Sequence, residues 1–221
     1  MSTETMPSIL EELISIIHRL FPQELLSLTL EKQRISIGLY RLLAQGEPVE
    51  LRALAAAVSV PLRRVEAIIK TWPGVYCDKR GRFVGYWGLA IPQTSNSFSV
   101  DGRRLYTWCA WDCLFLPEIL GKGANVQSIC PVTQDPIRLE VLPGGIERVE
   151  PAATVMSFVV PDPIKFQQNV LTSFCHYVHF FSSREAGHAW TSRHDGTLLV
   201  TLDQAVFLAQ EKNRIQYRDI L

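Results

Sequence analysis

The sequence predicts an α+β fold, with an N-terminal winged-helix-like helical region followed by a mixed α/β core of helices and short antiparallel strands. Three observations predict it. Apolar residues recur at helical spacing through most of the first 70 residues. Short apolar runs punctuated by glycine and proline then fill residues 97–160. A last helical stripe, 202–214, closes the chain. At 221 residues, with 47% apolar and 20% charged side chains, the composition is that of a globular chain able to bury a sizeable core. The change of texture near residue 92 divides the chain into a helical domain, 1–92, and a core domain, 93–221.

Taken in order, Ile9, Leu10, Leu13, Ile16, Ile17 and Leu20 form one face of a first helix, which Pro22 ends. Ile35, Leu39, Leu42 and Leu43 mark a second helix, stopped by Gly46. Residues 47–55, with Pro48 near the first turn, predict a third. After the break at Ser59-Val60-Pro61, residues 62–70 predict a fourth. Residues 75–77 and 82–86 flank the polar turn Asp78-Lys79-Arg80-Gly81 and read as a hairpin. Helix, helix, tight turn, helix, hairpin is the order of a winged helix, so a DNA-binding regulator is a rival expectation. Arg63, Arg64 and Lys70 would lie on its recognition helix and Lys79, Arg80 and Arg82 on its wing. Against it, 22 basic residues balance 22 acidic ones, which leaves no net field for nucleic acid or an anionic membrane.

Further on, 97–100 reads as a strand, 101–104 as a polar turn and 105–115 as a helix. Short strands are expected around 126–129, 137–141 and 155–160. The apolar run 173–181 reads as a central strand. In it Cys175, Tyr177, His179 and Phe181 would face one side and His176, Val178 and Phe180 the other, which argues against a joint histidine metal site. The five cysteines, Cys77, Cys109, Cys113, Cys130 and Cys175, are odd in number and contain no CxxC pair. Free thiols in a reducing, cytoplasmic setting are expected. The opening Met1-Ser2-Thr3-Glu4 carries no basic leader, and no run of 18 apolar residues predicts a membrane span.

Cys109 and Asp112, three apart on the expected helix, would share a face beside Trp108, Trp111, Leu114 and Phe115. A carboxylate in that company must be hydrogen-bonded, paired or protonated. Cys113, four residues on from Cys109, approaches the same face, so the helix leaves open which thiol is chemical. Cys175 is a further candidate. Core packing is the ordinary role of such a buried thiol.

Two segments carry a resemblance. Arg103-Arg104-Leu105-Tyr106-Thr107-Trp108-Cys109-Ala110-Trp111-Asp112 and Ser173-Phe174-Cys175-His176-Tyr177-Val178-His179-Phe180-Phe181 resemble the alkylmercury (organomercurial) lyases of bacterial mercury resistance. Residues 76–88, 149–152 and 204–213 agree, so the likeness runs from about residue 35 to 215. It implies that 93–221 is the catalytic core and that the N-terminal region is a structural cover and not a DNA reader. It also implies that Cys109 is the first nucleophile, Asp112 the acid and Cys175 the second thiol, all three contacting mercury, with Cys130 structural. Cys77 and Cys113 fall outside the pattern. The implied reaction is protonolysis of a carbon–mercury bond, which gives a hydrocarbon and Hg(II) bound as product with no cofactor required. The implied partners are an organomercurial substrate, small thiols and a mercuric reductase that accepts Hg(II). A passive thiol trap for mercury is the third expectation. A trap needs cysteines alone, so Asp112 beside Cys109 separates lyase from trap.

Overall fold

The computed structural model describes residues 15, 27–159 and 162–221. The apolar residues of the expected first helix, from Ile9 to Leu20, lie outside them. Helix α1, Leu30–Leu43, starts at Thr29, whose hydroxyl accepts a hydrogen bond from the Lys32 N–H. It buries Ile35, Leu39 and Leu43 on one face, as the spacing predicts. Helix α2 is Leu51–Val58 and α3 is Leu62–Ile69. The expected helix from residue 47 starts four residues late. Val49 exchanges backbone hydrogen bonds with Phe83, so the chain stays extended up to Glu50.

The strands are β1 Val75–Cys77, β2 Phe83–Tyr86, β3 Leu89–Ala90, β4 Asn96–Val100, β5 Arg103–Thr107, β6 Ala124–Ile129, β7 Pro136–Leu142 and β8 Gly145–Glu150. They form one antiparallel sheet in the order β1-β2-β3-β5-β4-β6-β7-β8. A second sheet, β10-β9-β11, joins Phe180–Phe181, Val155–Val159 and Thr197–Thr201. Between these run α4 Asp112–Leu120, the short helices α5 Pro163–Gln168 and α6 Val170–Ser173, and α7 Arg184–Thr191. Helix α8, Leu202–Gln216, closes the fold behind a capping box of Thr201 and Gln204.

Two expectations are overturned. Residues 105–107 belong to strand β5, and the helix expected over 105–115 begins only at Asp112. The central strand expected at 173–181 is instead the end of α6, a 3₁₀ turn over Cys175–Tyr177 and a two-residue strand. Both segments contribute buried side chains to the wall of one narrow cavity.

Helix α8 fixes α4. The Trp111 indole N–H donates to the Ala205 carbonyl at 3.1 Å. The Asn213 amide donates to the Phe115 carbonyl at 2.9 Å and to Glu118 at 2.7 Å. Among the basic residues of the rival DNA-binding reading, Arg64 pairs with Glu31 at 2.8 Å, Lys70 with Glu66 at 2.8 Å and Arg82 with Asp78 at 2.7 Å. No helix among the described residues is long and apolar enough to cross a membrane.

Candidate active site

Strand β5 ends at Thr107, and the next four residues form a tight loop before α4. The Trp108 N–H donates to the Gly88 carbonyl at 2.9 Å, and the Ala110 N–H donates to the Val178 carbonyl at 3.2 Å. The second bond ties the Cys109 loop to the Cys175 turn. Asp112 opens α4, where the helix N-terminus favours a carboxylate. Its Oδ2 reaches back to accept the Cys109 N–H at 2.7 Å. The contact between Cys109 and Asp112 therefore comes from a loop folded over a helix start and not from a shared helical face.

Cys175 begins its 3₁₀ turn just after α6, whose Asn169 cap accepts from the Leu171 and Thr172 N–H groups. Strand β9 holds the turn from below. The Ser157 hydroxyl donates to the Tyr177 carbonyl at 2.7 Å, and the Ser157 N–H donates to the His179 carbonyl at 3.0 Å. The strand alternation expected for the histidines is absent, because His179 Nε2 hydrogen-bonds the His176 carbonyl at 2.8 Å within the turn.

One ligand atom each from Cys109, Asp112 and Cys175, the two sulfurs and a carboxylate oxygen, lie within 4.8 Å of one another. All three residues are buried. Burial pushes the Asp112 carboxyl up to about 6, despite hydrogen bonds from Cys109 and Trp108 and the charge of Lys212. Burial, the hydrogen bond it gives Cys175 and the Asp112 charge hold the Cys109 thiol well above its ordinary range. That same hydrogen bond pulls Cys175 down, but burial and Asp112 outweigh it, so this thiol too stands above its ordinary value. Both thiols are protonated at rest, beside a carboxylate that titrates near neutrality.

The other cysteines stand apart. The Cys113 sulfur shares a hydrogen bond with the Thr107 hydroxyl at 3.1 Å, and burial pushes its thiol to about 12. Cys77 is exposed. Cys130 is buried in the hydrophobic core, although its chain neighbours Ile129 and Val132 are exposed. Burial raises this thiol, but hydrogen bonds from Thr133, Ser182 and Val132 outweigh that and bring it below its ordinary value.

The cavity beside Asp112 and Cys175 is narrow, about 20 Å³, enough to seat one water-sized group. Trp87, Trp108, Trp111, Phe115, Phe166 and Phe174 line it. Two further residues there escaped the sequence reading. Gly88 has φ +94°, and a Cβ on it would lie 2.5 Å from Asp112 Oδ1 and 2.6 Å from its Cγ. Lys212 is buried in α8 and lines the same cavity. Its spacing from Ala205, Leu208 and Ala209 puts it on the apolar face of the closing helix, a signal legible in the sequence.

Two buried thiols and a carboxylate beside a narrow aromatic cavity define a site for a soft, thiophilic metal centre. Comparison with known proteins gives that class a family. The alkylmercury lyase (MerB) family model matches residues 90–212. An alkylmercury lyase of Pseudomonas putida is 41% identical over 169 residues, 76% of this chain and 78% of the relative. Alkylmercury lyases of Bacillus cereus (38% over 172 residues, 78% and 77%) and Streptomyces lividans (42% over 156 residues, 71% and 71%) agree. The chain belongs to the alkylmercury lyase family. Its fold is similar to the crystal structure of the mercury-bound form of MerB2, with a TM-score of 0.71 and 23% identity over 95% of this chain and 99% of that one.

Proposed function

We propose that Cys109, Asp112 and Cys175 carry out organomercurial lysis in this chain, cleaving a carbon–mercury bond by protonolysis. The observation that carries this reading is the approach of two sulfurs and a carboxylate oxygen within 4.8 Å. In the first step R–Hg⁺ passes from a small thiolate to the Cys109 sulfur, and the Cys109 proton, handed on by Asp112, leaves on the departing small thiol. In the second, the Cys175 sulfur bonds to mercury and its proton, relayed by Asp112, goes to carbon. The carbon–mercury electron pair leaves with carbon and forms the new C–H bond. R–Hg–S plus H–S therefore becomes R–H plus S–Hg–S, with no oxidant, reductant or cofactor in the balance. A carboxyl near 6 suits a proton taken and returned at neutral pH. The aromatic walls limit the water that could compete for that proton.

The N-terminal region, 1–92, serves in this reading as a winged-helix-like cover over the core 93–221. Three helices before a hairpin, with Val49 bridged to Phe83, support the likeness. The ion pairs of Arg64, Lys70 and Arg82 argue against DNA reading. Cytoplasmic residence fits the free thiols. Hg(II) then passes from the two thiolates to an acceptor, for which a mercuric reductase has the required chemistry.

The test is hydrocarbon release into the headspace from methylmercury or phenylmercury with excess thiol present. Methane or benzene in step with added substrate supports the reading, and uptake of mercury with no hydrocarbon makes the protein a passive trap.

A further inference from the structure

A carbon–mercury bond broken at this site must present its carbon to the proton on Asp112. Asp112 and Cys175 both line the narrow cavity, so the organic group of the substrate enters there. The space is about 20 Å³. An apolar cavity of about 150 Å³ is one that takes up benzene. This cavity therefore seats a methyl group and falls far short of a phenyl ring.

Its walls are of two kinds. Trp108, Trp111 and Phe174 are chain neighbours of Cys109, Asp112 and Cys175, and the Trp111 indole is tied to the Ala205 carbonyl. Trp87 precedes Gly88, which lies against Asp112. Phe115 belongs to α4, which α8 holds in place. None of these can shrink without disturbing the site. Phe166 differs. It stands on α5, and among the described residues the backbone hydrogen bonds of α5 and α6 run to partners within 162–174. Its side chain is buried against the cavity, with the ring centre 6.1 Å from that of Trp87 and 6.0 Å from that of Phe174. Two residues earlier on the same helix, Ile164 is 68% exposed.

The geometry points to Phe166 as the size limit of this cavity: its ring fills the room that an aryl group would need, and so restricts the site to mercury carrying a short alkyl group. Phenylalanine and a phenylmercurial bring the same six-carbon ring, so removing one makes space for the other. The inference rests on the lyase reading above and names its substrate class. Phe166 sets specificity here and takes no part in the proton's path.

The test compares wild type with Phe166→Ala on methylmercury and phenylmercury, with excess thiol present. In the variant, kcat/KM for phenylmercury should rise roughly 10- to 100-fold, the scale on which apolar pockets discriminate by size, while that for methylmercury does not rise. A merely structural role cannot produce a gain. Ile164→Ala, on the outer side of the same helix, should leave the ratio of the two substrates unchanged. A second readout needs no turnover. Benzene should raise the melting temperature of Phe166→Ala and leave that of the wild type unmoved, because only the variant has a cavity to hold it. Phe166→Leu, expected to shift both readouts the same way by less, serves if the alanine variant does not fold. Phenylmercury turnover in the variant no higher than in the wild type overturns the proposal, and so does benzene binding to both proteins or to neither. If no protein releases hydrocarbon from either substrate, the lyase reading falls, and benzene binding alone decides whether Phe166 limits the cavity.

Discussion

Cys109 and Cys113 are four residues apart and both fully buried, and the Cys113 sulfur even touches the Cys109 carbonyl at 3.9 Å, yet the two sulfurs meet different partners. Cys109 sits in the loop before α4, facing Asp112 and Cys175. Cys113 sits one residue inside the helix, turned to Thr107 and held protonated. Identical side chains in one apolar run are thus sorted by where the backbone turns. The thiol proposed for the chemistry lies on the break, where its N–H can meet a carboxylate, and the one left outside the proposal lies on the regular element. Cys175 follows the same pattern, in a 3₁₀ turn and not on a strand.

Exchanging the thiols one at a time breaks this comparison most sharply. Cys109→Ser should abolish both mercury uptake and hydrocarbon release. Cys175→Ser should retain uptake and lose release, and Cys113→Ser should keep both near the wild-type level. Mass spectrometry of the mercury adduct and headspace gas analysis read the two steps apart. A Cys113→Ser protein that fails to release hydrocarbon although it folds would move the chemistry onto the helix.

Gly88→Ala probes the loop side of the contrast without touching a thiol. The new methyl would collide with the Asp112 carboxylate, and the positive φ disfavours any side chain. Cleavage should fall roughly 10- to 100-fold through displacement of the acid, with uptake on Cys109 preserved. Circular dichroism separates this outcome from unfolding.

Stability should carry the mark of the buried carboxylate. The folded carboxyl of Asp112, about 6, lies above its ordinary value, so the folded state binds the proton more readily than the unfolded chain. Its contribution is therefore favourable in acid and is lost as pH rises through about 6. Asp112→Asn should be the more stable protein at pH 7.5, by up to about 3 kcal/mol, and should lose that advantage near pH 4. Urea melts of both proteins at the two pH values check the sign.

The smallest effect is expected at Cys130. A serine hydroxyl can accept the same hydrogen bonds from Thr133, Ser182 and Val132, so Cys130→Ser should cost no more than about 1 kcal/mol. Cys130→Val, which cannot accept them, should cost about 1–3 kcal/mol. If valine proves the milder change in thermal melts, apolar packing and not hydrogen bonding governs Cys130.

The helices were legible wherever one face meets water, because burial then imposes a period. The stripes of α1, α3 and α8 are cases, and the β1–β2 hairpin announced itself by its polar turn. Strand β8 passed unseen because its residues are exposed or half-buried throughout and show no alternation. The segments around Cys109 and Cys175 were misread because their apolar residues run on with no clear alternation, and continuous apolarity has no period to betray a bend. Periodicity suggested Cys109 with Asp112 for the wrong geometric reason and gave Cys175 no distinction from a packing residue. The family resemblance singled that thiol out. Gly88 acts through an approach between distant segments that no local pattern encodes, whereas Lys212 was in plain view as a cation on an apolar stripe.

The central claim, that a carboxylate beside two thiols makes this site a lyase and not a trap, is tested most directly by Asp112→Asn. Methylmercury is added with excess thiol, and adduct formation on Cys109 and methane release are followed in the same samples. The account predicts that the adduct forms as in the wild type while methane release falls by roughly 10²- to 10⁴-fold, the usual loss of a positioned acid or base. Methane released at the wild-type rate by the folded variant would contradict it and remove Asp112 from the proton's path.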